Sequence, residues 1–246
     1  MYRFFVAQNQ VEDTVIHIQG SDVNHIKNVL RMKVGEEILI SSGDKLEYTC
    51  CIENLDGEEV LAKILYAEES GLELSSRVYL FQGLPKSDKM ELIIQKAVEL
   101  GAYEIIPVNT KRSVVKLDSK KEASKLKRWQ AISESAAKQS KRMIVPQITP
   151  VKSFAEAVNY ADQLDIRLIP YELAKGMRET RQILEGIQPG QSIGIFIGPE
   201  GGFEEKEVEL ARAHGAQPIT LGKRILRTET AGMTVLSILM YLLEQI

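Results

Sequence analysis

From Ser76 to the end of the chain, short apolar runs alternate with longer amphipathic ones, and this alternation most narrows the folds open to the sequence. Runs at 77–84, 104–108, 165–171, 192–197 and 217–221 have strand character. Between them lie helical patterns. One starts at Ser87 or Asp88, carries Met90, Ile93, Ile94, Ala97 and Val98 on one face, and has Gly101 at its C-cap. Others cover 119–141, 154–161, 204–214 and 228–245. Strands alternating with helices predict an α/β domain with a mostly parallel sheet.

The first 70 residues read differently. Strand-like runs at 37–42, 46–54 and 59–68 are separated by Gly43-Asp44 and by Asp56-Gly57, a hairpin signal. One short helix is predicted from Ser21 as N-cap to about Leu30. Short antiparallel strands with one helix predict a small β-barrel. Small and polar residues cluster at 69–75, which places two domains at 1–72 and 73–246. Cys50 and Cys51 are adjacent, so on a strand they face opposite ways and match no disulfide or metal spacing. The N-terminus has no apolar run long enough for a signal sequence, and the longest uncharged apolar stretch, 231–243, is too short for a bilayer. A soluble, cytoplasmic protein is predicted.

The formal net charge is −3, from 31 Lys and Arg against 34 Asp and Glu, but its distribution is uneven. Residues 111–142 hold eleven cations and three acids, a local +8 that leaves −11 for the remainder. A solvated helix face would account for a single basic helix, but an otherwise acidic chain that concentrates its positive charge there points toward a polyanionic partner.

The segment Ile195-Phe196-Ile197-Gly198-Pro199-Glu200-Gly201-Gly202-Phe203 runs from a buried strand through a tight loop into an acid-rich helix. Three glycines in five residues imply unusual dihedrals or close backbone approach, and at the carboxyl end of a parallel strand a ligand commonly requires that. Neither G-x-G-x-x-G nor a Walker motif is present, and Glu200, Glu204, Glu205 and Glu207 would repel phosphate. S-adenosylmethionine, with its sulfonium and ammonium, fits the loop; ATP does not. A second loop, Leu221-Gly222-Lys223-Arg224-Ile225-Leu226-Arg227, ends at Thr228 as N-cap. Its Ile225 and Leu226 suit adenine or a neighbouring helix, and its cations suit RNA phosphate or local acids. A third strand end, Leu168-Ile169-Pro170-Tyr171-Glu172, is weaker by itself.

The three histidines, His17, His25 and His214, are far apart and imply no zinc site or His-dependent triad; no metal is expected. The last helix is nearly uncharged, with Val235, Ile238, Leu239, Leu242, Leu243 and Ile246 apolar. It packs in the domain's core, or in part against a second copy.

Several segments together resemble the RsmE family, the small-subunit rRNA uridine-N3 methyltransferases of the SPOUT superfamily. They are Arg3-Phe4-Phe5, His25 with Val29-Leu30-Arg31, residues 86–101, Arg112-Ser113-Val114, Arg128-Trp129, residues 136–140, 198–202 and 221–231. The resemblance covers the whole chain. It implies a PUA-like β-barrel followed by an α/β domain with a trefoil knot, a homodimer, and S-adenosylmethionine held by three loops. Those loops map onto Leu168, Pro170 and Tyr171; Gly198, Pro199, Glu200, Gly201 and Gly202; and Leu221, Gly222, Ile225 and Leu226. The implied reaction is methylation of N3 of a uridine, nucleotide 1498 of 16S rRNA near the decoding centre, within the small ribosomal subunit.

N3 of uracil is a weakly acidic imide that must lose its proton for methyl transfer, so a base, a cation and in-line positioning are needed. Glu200 and Glu172 are candidate bases and Arg227 the candidate cation, with Glu200 alternatively binding loop amides. Arg3, His25, Arg31, Lys86, Lys89 and Arg112 are candidate RNA contacts. Two rival readings stand beside this one: another knotted methyltransferase acting on a ribose 2′-hydroxyl or on tRNA, and a non-catalytic RNA-binding or ribosome-assembly factor.

Overall fold

Period-two alternation in the first 70 residues produces five strands: β1 (Tyr2–Phe5), β2 (Val15–Ile18), β3 (Glu37–Ser41), β4 (Leu46–Asn54) and β5 (Val60–Glu69). In the computed structural model, which describes residues 1–44, 46–69, 71–171 and 176–244, they pair in the order β1-β3-β4-β5-β2. Only β1 and β3 run parallel. No ladder joins β1 to β2 among the described residues, so the sheet is a curled half-barrel where a barrel is predicted. Its concave side buries Phe4, Ile16, Ile18, Ile38, Ile40 and Ile52. Cys50 faces this core, where burial pushes its thiol up to about 12, while Cys51 points the other way; both are free.

The predicted helix at 21–30 is split. Gly20, not Ser21, is the N-cap of α1 (Ser21–Asn24), which widens into a π-helical turn at His25–Val29. Leu30 caps that turn, and Arg31 after it has a φ of +53°, unusual for a side-chain-bearing residue.

The chain divides into two units, Met1–Glu73 with Ala137–Val145, and Leu74–Ala136 with Pro146–Ile246. The returning segment is built into the first unit. Glu73 accepts from Arg142 Nε at 2.8 Å and from the Met143 amide at 2.7 Å, and the Ser41 hydroxyl donates to the Met143 carbonyl. Lys138 pairs with Asp22 at 2.9 Å. Arg3, expected on an RNA-facing surface, is instead buried, ion-paired with Glu47 and in contact with Met143 Sδ at 3.2 Å. Its charge is spent inside the unit, which removes it from the RNA contacts.

The second unit carries β6 (Arg77–Gly83), β7 (Ala102–Asn109), β8 (Gln147–Ile148), β9 (Lys152–Ser153), β10 (Ile166–Pro170), β11 (Ser192–Ile197) and β12 (Gln217–Ile219). All pair in parallel, in the order β12-β10-β11-β6-β7-β8, with β9 also on β7. The helices are α2 (Lys89–Glu99), α3 (Ser119–Gln139), α4 (Phe154–Ala161), α5 (Met177–Glu185), α6 (Glu205–Ala213) and α7 (Thr228–Leu243). Helix α4 starts with a capping box in which Ser153 and Glu156 satisfy each other's amides. Phe81 and Phe196 stack at 4.4 Å on one face of the sheet, with Phe154 and Phe203 against them. Helix α7 packs on α2 and β11 through Val235, Leu236 and Leu239. With every strand parallel, the connections that leave their carboxyl ends gather at one edge, where α/β sheets place their ligands.

Candidate active site

Register brings the three glycine- and proline-marked segments together. Leu168 of β10 lies opposite Ile195 of β11, and Pro170 lies opposite Ile219 of β12, so the chain leaves these three strands at adjacent points. The Tyr171 amide donates to the Ile219 carbonyl at 3.0 Å, which holds two of the exits in register.

The loop at 198–202 owes its glycines first to chain packing. A Cβ on Gly198 would lie 3.1 Å from the Gly202 backbone, and Gly202 turns with φ +67°. Pro199 is buried against Gly83, where a Cβ would come within 2.7 Å of the Pro199 nitrogen. A ligand is therefore not needed to explain these glycines, contrary to the expectation from sequence. Gly222 is different: its φ is +107° and nothing lies near the missing Cβ, so the backbone there is open.

A buried polar chain locks the site's floor. Gln82, fully enclosed on β6, donates from Nε2 to Thr228 Oγ1 at 2.9 Å, and Thr228 donates to the Gly198 carbonyl at 2.6 Å. Thr228 is thus not the N-cap: Arg227 holds that position, and the Thr228 hydroxyl is used across the loop. Gln82 was not singled out from sequence, although one amide inside the apolar run Val78–Gly83 is a legible signal of buried hydrogen bonding.

Glu200 is committed. Its carboxylate accepts from the Lys86 amide at 3.1 Å and pairs with Lys89 Nζ at 3.0 Å. Burial pushes its carboxyl up, but the Lys89 ammonium and the amides of Glu200 and Lys86 outweigh this and hold it below the usual range. Such a group holds the loop and is a poor proton acceptor, the second of its two predicted roles. Lys89 also lies 3.7 Å from Glu229, whose buried Oε2 has no hydrogen-bond partner. Its ammonium thus serves these carboxylates. Arg112 donates from Nη1 to the Gly201 carbonyl at 2.8 Å, and the Lys111 amide donates to Glu207 at 2.9 Å. Of the predicted RNA contacts, the side chains of His25, Arg31 and Lys86 remain exposed, whereas Lys89 and Arg112 brace the loop.

Of the predicted cofactor residues, Leu168 is fully enclosed between β11 and β12 and offers a ligand no surface. Pro199 is buried as packing for Gly83. Pro170, Tyr171, Gly198, Gly202, Leu221, Gly222 and Leu226 are half-buried, and Ile225 is 87% exposed. Arg227 stands exposed beside Lys89, on whose ammonium its charge acts. Glu172 lies outside the described residues. Among the described residues no cluster of His, Cys, Asp or Glu could hold a metal, and no helix is long and apolar enough to cross a membrane.

A parallel α/β sheet with braced carboxyl-end loops in one unit and a curled β-sheet in the other define an RNA methyltransferase architecture: residues 72–240 match the RNA methyltransferase domain family and 18–65 the RNA methyltransferase PUA domain family. The chain is 38% identical over 250 residues to ribosomal RNA small subunit methyltransferase E of Bacillus subtilis (strain 168), covering 99% of this chain and 98% of that one. It is 35% identical to the protein of the same name from Mesomycoplasma hyopneumoniae (strain 232), over 96% and 98%. The crystal structure of a ribosomal RNA small subunit methyltransferase E from Neisseria gonorrhoeae bound to S-adenosylmethionine matches with a TM-score of 0.83 at 32% identity, over 98% of both chains. The chain belongs to the ribosomal RNA small subunit methyltransferase E family.

Proposed function

We propose that this protein binds S-adenosylmethionine at the carboxyl ends of β10, β11 and β12 and methylates N3 of a uridine of 16S rRNA, nucleotide 1498, in the small ribosomal subunit. The observation that carries this reading is the convergence of the three loops in a chain similar over nearly its whole length to enzymes of that name. The residues present fit the cofactor. Open backbone at Gly222 and the apolar Leu221, Leu226 and Tyr171 suit a flat ring.

Bound there, S-adenosylmethionine would supply an electrophilic methyl group on its sulfonium sulfur. The chain's own task is the uracil. Arg227, exposed at the start of α7, is placed to bind the uracil carbonyls and favour loss of the N3 proton. Glu172 remains the candidate base, since Glu200 is occupied by Lys86 and Lys89. The uridine must leave its stack to reach the site. His25, Arg31 and Lys86 grip the RNA backbone, so binding weakens with salt. The first unit is read as the RNA-binding PUA-like domain and the second as the methyltransferase domain.

Three further features belong to this reading. The chain leaves β12 at one edge of the sheet, is tied by Thr228 to the loop after β11, and returns to pack on α2, a route that supports the reading of a trefoil knot. Tyr241 and Leu242, 83% and 40% exposed on α7, supply the apolar face of a homodimer in the cytoplasm.

The test is methylation of small subunits lacking the modification, with mass-spectrometric mapping of the product. Methyl at N3 of that uridine is expected. A 2′-O-methyl ribose, a modified tRNA, or cofactor binding without transfer would overturn the assignment.

A further inference from the structure

A cleft of about 730 Å³ opens at the opposite edge of the second unit's sheet, at the amino ends of β6, β7, β10 and β11. The strands span five to eight residues, so this cleft lies about 20 Å from the carboxyl-end loops. Its volume falls within the range of small-molecule sites. Three tyrosines from rigid elements line it: Tyr79 on β6, Tyr103 on β7 and Tyr160 on α4. Tyr79 and Tyr103 meet edge to face at 5.4 Å, and the Arg77 guanidinium lies over the Tyr103 ring at 4.9 Å. Arg77 is exposed, so this stack of planar groups can take another ring.

The lining acids are not equivalent. Asp165 is tied to the start of β11, its Oδ2 accepting from the Ser192 amide at 2.8 Å and the Ser192 hydroxyl at 2.7 Å, whereas Glu104 lies opposite Tyr79 and next to Tyr103 of the stack. Glu104 is held by one bond, from the Tyr160 hydroxyl to Oε2 at 2.7 Å, and its other oxygen has acceptor capacity left. Burial and the neighbouring Glu104 push the Tyr160 phenol up, so it stays a donor and fixes the carboxylate's orientation. A fixed carboxylate beside a planar stack is matched by a flat ring with two adjacent N–H donors. Among the nucleobases guanine has that edge, in its imino and amino groups. Adenine, cytosine and uracil each place an acceptor beside their donor.

We propose that this cleft is a guanine-binding site, with the base stacked on Arg77 and Tyr103 and its donor edge on Glu104. The site is separate from the methyl-transfer loops, and its ligand is the base itself, from single-stranded RNA or from a free nucleotide.

The experiment is calorimetric titration of the full-length protein with GMP, and with a single-stranded hexanucleotide carrying one guanosine or, in its place, inosine, which lacks the amino group. The guanosine probe is expected to bind tighter than the inosine probe, and Glu104→Gln to erase that preference. Tyr103→Ala is expected to weaken guanosine binding about 5- to 150-fold, the usual loss for one base stacked on an aromatic ring. S-adenosylmethionine affinity, measured on the same samples, reports that each variant is folded. GMP binding with the guanosine preference identifies a free nucleotide as sufficient; binding by the hexanucleotide alone identifies RNA. Either supports the site. Equal binding of guanosine and inosine probes, or a Glu104→Gln variant that keeps the preference, overturns it. Because the readout is binding, it stands or falls independently of which atom the enzyme methylates.

Discussion

Glu200 and Thr228 do comparable work in the loop after β11 by different means, and they respond differently to substitution. Glu200 acts through charge: Lys89 and the Lys86 amide hold it ionised. Glu200→Gln is expected to raise the S-adenosylmethionine dissociation constant several-fold while turnover at saturating cofactor changes little, the pattern of a group that shapes the site. A large fall in turnover with unchanged cofactor affinity would restore the base role. The pH dependence has a definite sign. A carboxyl depressed on folding stabilises the fold above its ordinary pKa of 4.5, and that contribution disappears as pH falls through the depressed value. Thermal melts at neutral pH should therefore carry the full Glu200 contribution, with Glu200→Gln melting lower, and the wild type should lose that advantage only under acid, a limb absent in the Gln variant. Thr228 acts through neutral hydrogen bonds in a buried place. Thr228→Val keeps the volume but strands the Gly198 carbonyl and the Gln82 amide, at a cost of about 1–3 kcal/mol that urea unfolding would measure.

At the scale of elements, α7 carries the second unit. Its first residue closes the loop after β11, and its inner face is core, with Leu239 fully buried. Leu239→Ala should cost about 2–5 kcal/mol by denaturant titration. The five longer strands and most helices of this unit were legible because their apolar residues follow one clear period each, as on α2, whose Met90, Ile93, Ile94, Ala97 and Val98 are all buried. Helix α5 was not legible: Met177–Glu185 is mostly charged and polar, and buries only Thr180 and Leu184. Strands β8 and β9 are two residues each, too short for any period to show. The three loops were found from glycine and proline, but their bracing was not. That Lys89 and Arg112 brace a loop rather than contact RNA depends on β6, β7 and β11 lying side by side, a long-range fact no local pattern carries. Arg3 is a similar case, a cation whose partner Glu47 lies on a strand that register alone brings near.

At the scale of the whole molecule, exposed Tyr241 and Leu242 lie on an otherwise packed helix. Tyr241→Glu should shift a homodimer toward monomer in analytical ultracentrifugation without unfolding it. An unchanged sedimentation coefficient would place any interface elsewhere. The first unit sets a different test. Because Ala137–Val145 supplies the partners of Glu73 and Ser41, a fragment ending at Glu73 should show a poorly dispersed amide NMR spectrum, and adding a peptide of 137–145 should sharpen it. The same arrangement bears on synthesis. The segment emerges from the ribosome roughly 64 residues after Glu73, and at about 5–20 residues per second the half-barrel waits about 3 to 13 seconds for its last piece. During that interval Arg3 and Glu47 have each other but not Met143, and β6, α2, β7 and most of α3 must be made before the domain ahead of them is complete.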